Sequence, residues 1–333
     1  MDHEAQSVVI EATNMLLLSK YIEPQAEALH TLSRLSRFDS WRSIIAERGC
    51  LYNMLLGING RLSDSSRKWA LKSLVHFADD RNYRLRVGEG GLSSIIKTTI
   101  NNPYDEVKAP AVTILAILAS NDSYRNRILG TKVLDKIVGY LQSHNEKLRT
   151  QSAHLLVHLA ATDESRKRAA DLNAVEAVVT LFDRAPTENA RLYSVAAMGQ
   201  LALTASVRRR LGDSGAVDAI GRYLENTATS SSATRAHCFA ALVQLSFDDE
   251  LKAKMKNGTL LGVLLSSSES SDLEEQMWAL RALLHLSLDG DGKAKLQQLR
   301  CGNVMEQIRR RTQKAEVKLL AEEVLASLKA AAT

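Results

Sequence analysis

Apolar positions recur along this chain in short runs that each end on a small residue. Seven runs share one pattern: an apolar residue, two others, a second apolar residue, then Ser or Ala. They are LSRLS closing at Ser36, LVHFA at Ala78, LAILA at Ala119, LVHLA at Ala160, MGQLA at Ala202, LVQLS at Ser246 and LLHLS at Ser287. The intervals between the closing residues are 42, 41, 41, 42, 44 and 41, so the chain is an internal repeat. Within each period the three-to-four spacing of apolar residues predicts three helices. A short first helix carries an apolar anchor nine residues after the small residue, at Ile45, Val87, Ile128, Ala169, Leu211, Met255 and Leu296. Four residues further on, Gly49, Gly91, Asn173 and Gly215 predict helix stops, because Gly and Asn tolerate the left-handed conformation. A second helix follows, as in Val175, Val178, Val179 and Phe182. A longer third helix carries the repeated run, often after a proline that suits a helix start (Pro24, Pro103, Pro186).

Three helices in such a period, with R-x-x-I-x-x-x-G followed by A-x-x-x-L-x-x-L-A/S, resemble the armadillo repeat. The resemblance implies an all-α, right-handed alpha-solenoid of about eight repeats in which stacked neighbours bury what no repeat buries alone. It would run over 1–333 as one array. Residues 1–38 form an N-terminal partial repeat, 39–288 six internal repeats and 289–333 a capping repeat with Glu322 and Glu323 toward its polar end.

Composition agrees with helices: aromatics are only 5%, helix-breaking prolines number four in 333 residues, and Ala, Leu, Lys, Arg, Glu and Ser dominate. Three scattered cysteines (Cys50, Cys238, Cys301) show no disulfide or zinc spacing, which points to a reducing, cytoplasmic setting. The first residues carry acids where a targeting presequence carries positive charge, and the longest apolar run, 109–120, is too short to span a bilayer.

In armadillo proteins the third helices line a concave groove, and the resemblance implies that face here. The position two before each small residue, with those four and seven earlier, gives three columns. They read Glu27/His30/Arg34, Trp69/Lys72/His76, Pro110/Thr113/Ile117, Gln151/His154/His158, Tyr193/Ala196/Gln200, His237/Ala240/Gln244 and Trp278/Arg281/His285. These 21 positions hold six of the eight histidines, where even scattering would place fewer than one, and two of the three tryptophans. Rigid aromatics among adaptable donors suit a binding surface, whereas a merely solvated face would be rich in Lys and Glu. The same residues can also be read as satisfying polar neighbours at a crowded inner face.

The importin-alpha branch offers an informative contrast. The positions matching its asparagine column are Arg34, His76, Ile117, His158, Gln200, Gln244 and His285, and the positions four earlier hold no Trp. Arg34, Lys72 and Arg281 against Glu27 lean instead toward the beta-catenin branch, whose basic groove accepts acidic extended segments. Six histidines of ordinary pKa would then strengthen acidic-peptide binding as pH falls toward 6.

A second column precedes the first-helix anchors: Arg84/Arg86, Arg125/Arg127, Arg166/Arg168, Arg208/Arg210, Lys252/Lys254 and Lys293/Lys295, with Arg42 before them. It reads either as a structural habit of the repeat or as a polyanion track for RNA. Asp39, Asp122, Asp163 and Asp249 open several of these helices, cap the dipole and partly cancel the charge.

Catalytic chemistry is not visible. His154 and His158 lie one turn apart, but Leu155 stands where a zinc-hydrolase helix needs Glu. Asp289 begins a calcium-like loop that Lys293 spoils, and GEGG at Gly88 reads as a helix stop rather than a phosphate loop. The sequence therefore predicts a non-catalytic scaffold or adaptor without cofactor, metal or small-molecule substrate. Its partner is an extended, acidic protein segment in the groove, or alternatively RNA on the basic edge.

Overall fold

A computed structural model describes residues 3–60, 62–226, 230–256 and 259–330. The described residues form helices and turns without strands, and the chain divides into two compact units, Met1–Leu159 and Ala160–Thr333. In the first unit α1 (His3–Leu17) and α2 (Ile22–Leu35) precede the triplet α3 (Asp39–Glu47), α4 (Cys50–Ile58) and α5 (Asp64–Asp79). The pair α6 (Arg84–Asn101) and α7 (Asp105–Leu118) comes next, then the triplet α8 (Asp122–Leu129), α9 (Val133–Tyr140) and α10 (Glu146–Leu159). The second unit holds four triplets. They are α11 (Asp163–Asp171), α12 (Ala174–Asp183) and α13 (Glu188–Leu201), then α14 (Ala205–Asp213), α15 (Ala216–Glu225) and α16 (Ser232–Leu245). After these come α17 (Asp249–Met255), α18 (Leu260–Ser267) and α19 (Leu273–Ser287), then α20 (Gly290–Gln298), α21 (Cys301–Arg311) and α22 (Ala315–Lys329).

The repeated apolar run explains the stacking. Third helices pack on third helices: α2 on α5, α5 on α7 and α7 on α10 in the first unit, α13 on α16, α16 on α19 and α19 on α22 in the second. Leu29, Leu32, Leu71, Leu74 and Phe77 are fully buried in the first stack, Met198, Phe239 and Leu283 in the second. The small closing residues from Ser36 to Ser287 are all buried at 3% exposure or less. A larger side chain there would push apart the turn that follows each third helix.

The left-handed stops fall where expected at Gly49 (φ 78°), Asn173 (φ 68°) and Gly215 (φ 80°). Gly91 is a correction: α6 runs unbroken through Gly88, Gly90 and Gly91 and fuses the first and second helices of its repeat. GEGG is thus helix interior, not a stop. These glycines serve close packing, since a β-carbon at Gly88 would strike the Tyr124 ring, and at Gly90 or Gly91 would lie 3.0 Å from Leu55. The last repeat places Arg300 (φ 55°) at the same left-handed turn, where no glycine or asparagine marks it.

The acids that open the first helices sit in the first turn, and the capping bonds come from the residue before. Asn121 accepts from Ser123 and Tyr124, Thr162 from Ser165, and Asp248 from Glu250 and Leu251. Asp289 caps α20 by accepting from the Gly292 amide, so its loop is a helix start.

Cys50, Cys238 and Cys301 are buried and unbonded to one another. Burial pushes the Cys50 and Cys301 thiols up to about 12 and raises Cys238 as well. Native protein at pH 7 is therefore expected to react with a soluble disulfide reagent on the order of a hundredfold more slowly than urea-unfolded protein. Fast release of any thiol from the native chain would contradict this burial.

Candidate functional site

In the first unit the third helices set the groove positions at the boundary of the core. On α5, Trp69, Lys72 and His76 are half-buried between the buried Ala70, Leu71, Ser73, Leu74 and Phe77. On α10, Gln151, His154 and His158 stand likewise among buried Ser152, Ala153, Leu155, Leu156 and Leu159. On α2, His30 is half-buried while Glu27 and Arg34 are exposed. The α7 positions are poor in donors, as Pro110 is buried and Thr113 bonds back to the Ala109 carbonyl at 2.9 Å. Periodicity explains the arrangement: one turn of helix separates each column, so the same stripe surfaces on every neighbour.

Rings join across the repeats. His30 lies 4.2 Å from Trp69 between centroids, and the Lys72 ammonium sits 4.2 Å over the same indole. Lys68 approaches Trp69 at 5.4 Å while its charge is held by Glu106. Burial draws Lys72 below the usual lysine range, and Lys68, Lys147 and Arg37 add to this against Glu106 alone. Lys147 and Arg37 lie outside the three columns, and only the folded chain reveals them beside Lys72. His154 and His158 face each other at 5.4 Å. Among the described residues no cluster of three potential metal ligands forms around them or elsewhere.

In the second unit Tyr193, Gln200, His237, Gln244, Trp278, Arg281 and His285 are all half-buried. Arg281 stacks over Trp278 at 4.6 Å, and Phe247 meets His285 edge-on at 4.8 Å. His237 Nδ1 donates to the Ala233 carbonyl at 2.9 Å. The Ser246 hydroxyl spends its proton on the Val243 carbonyl, so the His285 Nδ1–H donates to Ser246 Oγ at 3.2 Å and Nε2 is left as an acceptor.

No protein-family model and no curated protein sequence matches the chain. Solved structures do. An engineered protein is 22% identical with a TM-score of 0.79, covering 98% of this chain and 79% of its own. A designed armadillo repeat protein is 19% identical with a TM-score of 0.64, covering 72% of this chain and 100% of its own. The fold is an armadillo-repeat fold. Another designed armadillo repeat protein, in complex with the peptide (KR)4, is 18% identical with a TM-score of 0.63 over 72% of this chain and 99% of its own.

Within the armadillo repeats the basic column has a concrete role. Arg42 donates to the Ser36 carbonyl at 2.9 Å, Arg84 to Ala78 at 2.8 Å and Arg125 to Ala119 at 3.5 Å. Arg166 bonds Ala160 at 3.1 Å and Arg208 bonds Ala202 at 2.9 Å. Each reaches back six residues to the carbonyl that closes the preceding third helix, one of the orphan acceptors every helix leaves. Asp39, Asp122 and Asp163 hold the other side of Arg42, Arg125 and Arg166. The second basic residue varies more. Arg210 grips Glu176 at 2.7 and 2.9 Å and the Ala170 carbonyl at 2.7 Å. Arg127 meets Glu89 at 3.4 Å, while Arg86 and Arg168 are exposed.

The histidines correct one expectation. Burial lowers His76, His158 and His285 below the ordinary imidazole value, and it drives His154 down to about 4 with His158 adding to it. Arg37 and Arg42 press further on His76, Arg125 on His158 and Lys252 on His285. His154 therefore stays neutral at pH 6, and His76, His158 and His285 gain less charge on acidification than ordinary imidazoles would.

Proposed function

We propose that the chain is a non-catalytic scaffold whose third-helix faces hold an extended, acidic segment of a partner protein. The observation that carries this is the half-buried column of aromatic and donor side chains, with Lys72 stacked on Trp69 among further cations. Aromatic faces give large contact area at little entropy cost, and His and Gln side chains bond a peptide backbone. The designed neighbour in complex with the peptide (KR)4 supports peptide recognition by this fold. Here the cations belong to the receptor, so the preferred charge of the peptide is reversed.

An RNA role on the basic edge has less support, because Arg42, Arg84, Arg125, Arg166, Arg208 and Arg210 are engaged with carbonyl or carboxylate oxygens. No described helix is long and apolar enough to cross a membrane.

The test is fluorescence anisotropy with an acidic peptide, (KR)4 and a single-stranded RNA as probes. The acidic peptide is expected to bind, and Lys72→Glu to weaken it roughly tenfold or more. Tighter binding of (KR)4, or RNA binding abolished by charge reversal at Arg86 and Arg168, would overturn the reading.

A further inference from the structure

Helix α1 is apolar on two faces. Ile10 and Leu17 are buried where α1 packs on α2, α3 and α4. Val8, Val9, Met15 and Leu16 occupy the other side and are 39–77% exposed. Successive residues turn by a 3.6-residue period, which puts Ala5 and Ala12, also exposed, in the middle of that arc. Leu18, Tyr21 and Ile22 extend it past the end of the helix, again exposed. The edge of α1 that meets the next repeat is a different one. There Glu11 pairs with Arg48 at 2.6 Å, and Asn14 donates to the Arg48 carbonyl at 2.9 Å. Val9 and Leu16 lie roughly half a turn from that edge and face away from the rest of the first unit. None of these residues belongs to the third-helix columns.

Seven large apolar side chains exposed to this degree offer on the order of 700 Å² of apolar surface. That exceeds the roughly 300–600 Å² of the largest patch on an ordinary monomer. It approaches the roughly 800 Å² that each partner contributes to a stable interface. The last helix behaves differently. The exposed positions of α22 include Glu316, Lys318, Glu323 and Lys329, with Leu319 as their one large apolar member. A polar outer face is what keeps the end of a repeat array soluble. Helix α22 has one and α1 does not.

We propose that two copies of the chain dimerise through antiparallel α1 helices, with the two-fold axis beside Ala12. The stripe is complementary to itself in that register. An antiparallel copy centred on Ala12 sets Val8 against Leu16 and Val9 against Met15, and the small Ala12 lets the two backbones approach at the crossing. The same register brings Glu4, in the acidic first turn of α1, toward the exposed Lys20 beyond its far end. A parallel copy would instead set Glu4 against Glu4, and like charges face to face are unfavourable. Docking α1 on the α22 of another copy would bury Glu316 and Glu323 against apolar side chains, and such a head-to-tail contact does not close on itself.

The experiment is sedimentation velocity on the full chain over a range of concentrations, joined to cysteine cross-linking. The wild type is expected to be a dimer at about 10 µM. Val8→Glu and Met15→Glu, both at exposed positions, should each raise the dissociation constant about a hundredfold and leave the urea midpoint unchanged. Leu319→Glu on α22 should leave the dimer intact. Ala12→Cys, oxidised with diamide, should link to its own copy, because helices packed about 8–10 Å apart bring facing α-carbons within disulfide reach. Ala5→Cys should not, since an antiparallel crossing separates the two by about 20 Å. The native cysteines are buried and leave the readout clear. A wild-type monomer at about 100 µM, or a dimer that survives both glutamate substitutions, would overturn the proposal. So would higher oligomers abolished by Leu319→Glu, or self-linking of Ala5→Cys as fast as that of Ala12→Cys.

Discussion

Replacing Glu275 by alanine is expected to cost about 3–5 kcal/mol of stability, the usual loss when a buried ion pair is broken on one side. Arg235 on α16 donates Nε to Glu275 on α19 at 2.8 Å, and both are under a tenth exposed. The guanidinium also bonds the Leu224 carbonyl at 3.1 Å and Ser267 Oγ at 2.5 Å, while Ser270 donates to the second Glu275 oxygen at 3.1 Å. Every member is satisfied, so removing the carboxylate alone strands a desolvated cation between two stacked repeats. The pair Arg235→Met/Glu275→Leu should recover most of the loss, because apolar groups of similar volume need no partner. Urea unfolding of the single and double variants decides it. A Glu275→Ala cost below about 1 kcal/mol would mean the pair is not closed in solution.

Acid should weaken the first unit in a window set by His154. Its folded pKa, about 4, lies below the ordinary 6.5 of the unfolded chain. As pH falls through 6.5 the unfolded state takes a proton that the folded state refuses, so stability is full above that value and declines toward pH 4. The loss is on the order of 2–3 kcal/mol for His154, with His158 adding in the same direction. His154→Gln should flatten the urea-midpoint profile between pH 6.5 and 4 and leave it unchanged above pH 7. Parallel profiles for variant and wild type would show that the imidazole is more hydrated than its surroundings in the stack allow.

Sequence and structure agree where one residue type suffices for a local task. The small closing residues, the third-helix stripe and the left-handed turns at Gly49, Asn173 and Gly215 depend on short-range sterics and on one helical period, both of which are linear in the chain. Gly91 misled because a glycine that ends a helix and one that lets Tyr124 and Leu55 approach are alike in sequence, and only the neighbouring repeat distinguishes them. Arg300 adopts the same turn with no marker. The basic column was legible as a column, but its targets are carbonyl oxygens, which a sequence does not display. Histidine titration depends on how deeply the third-helix stripe sinks between neighbours.

The arginine clamps have a kinetic consequence. Each closes a loop of only six residues, so its chain-entropy cost is small and nearly the same in every repeat. Contacts that short form in well under a microsecond, long before distant segments meet. The bend between a third helix and the helix that follows is therefore set early, repeat by repeat, while the rest of the chain is still searching. Growth of either unit then proceeds by adding pre-bent segments to a neighbour, a route of low contact order that lets a chain of this length fold without waiting for its ends to find each other.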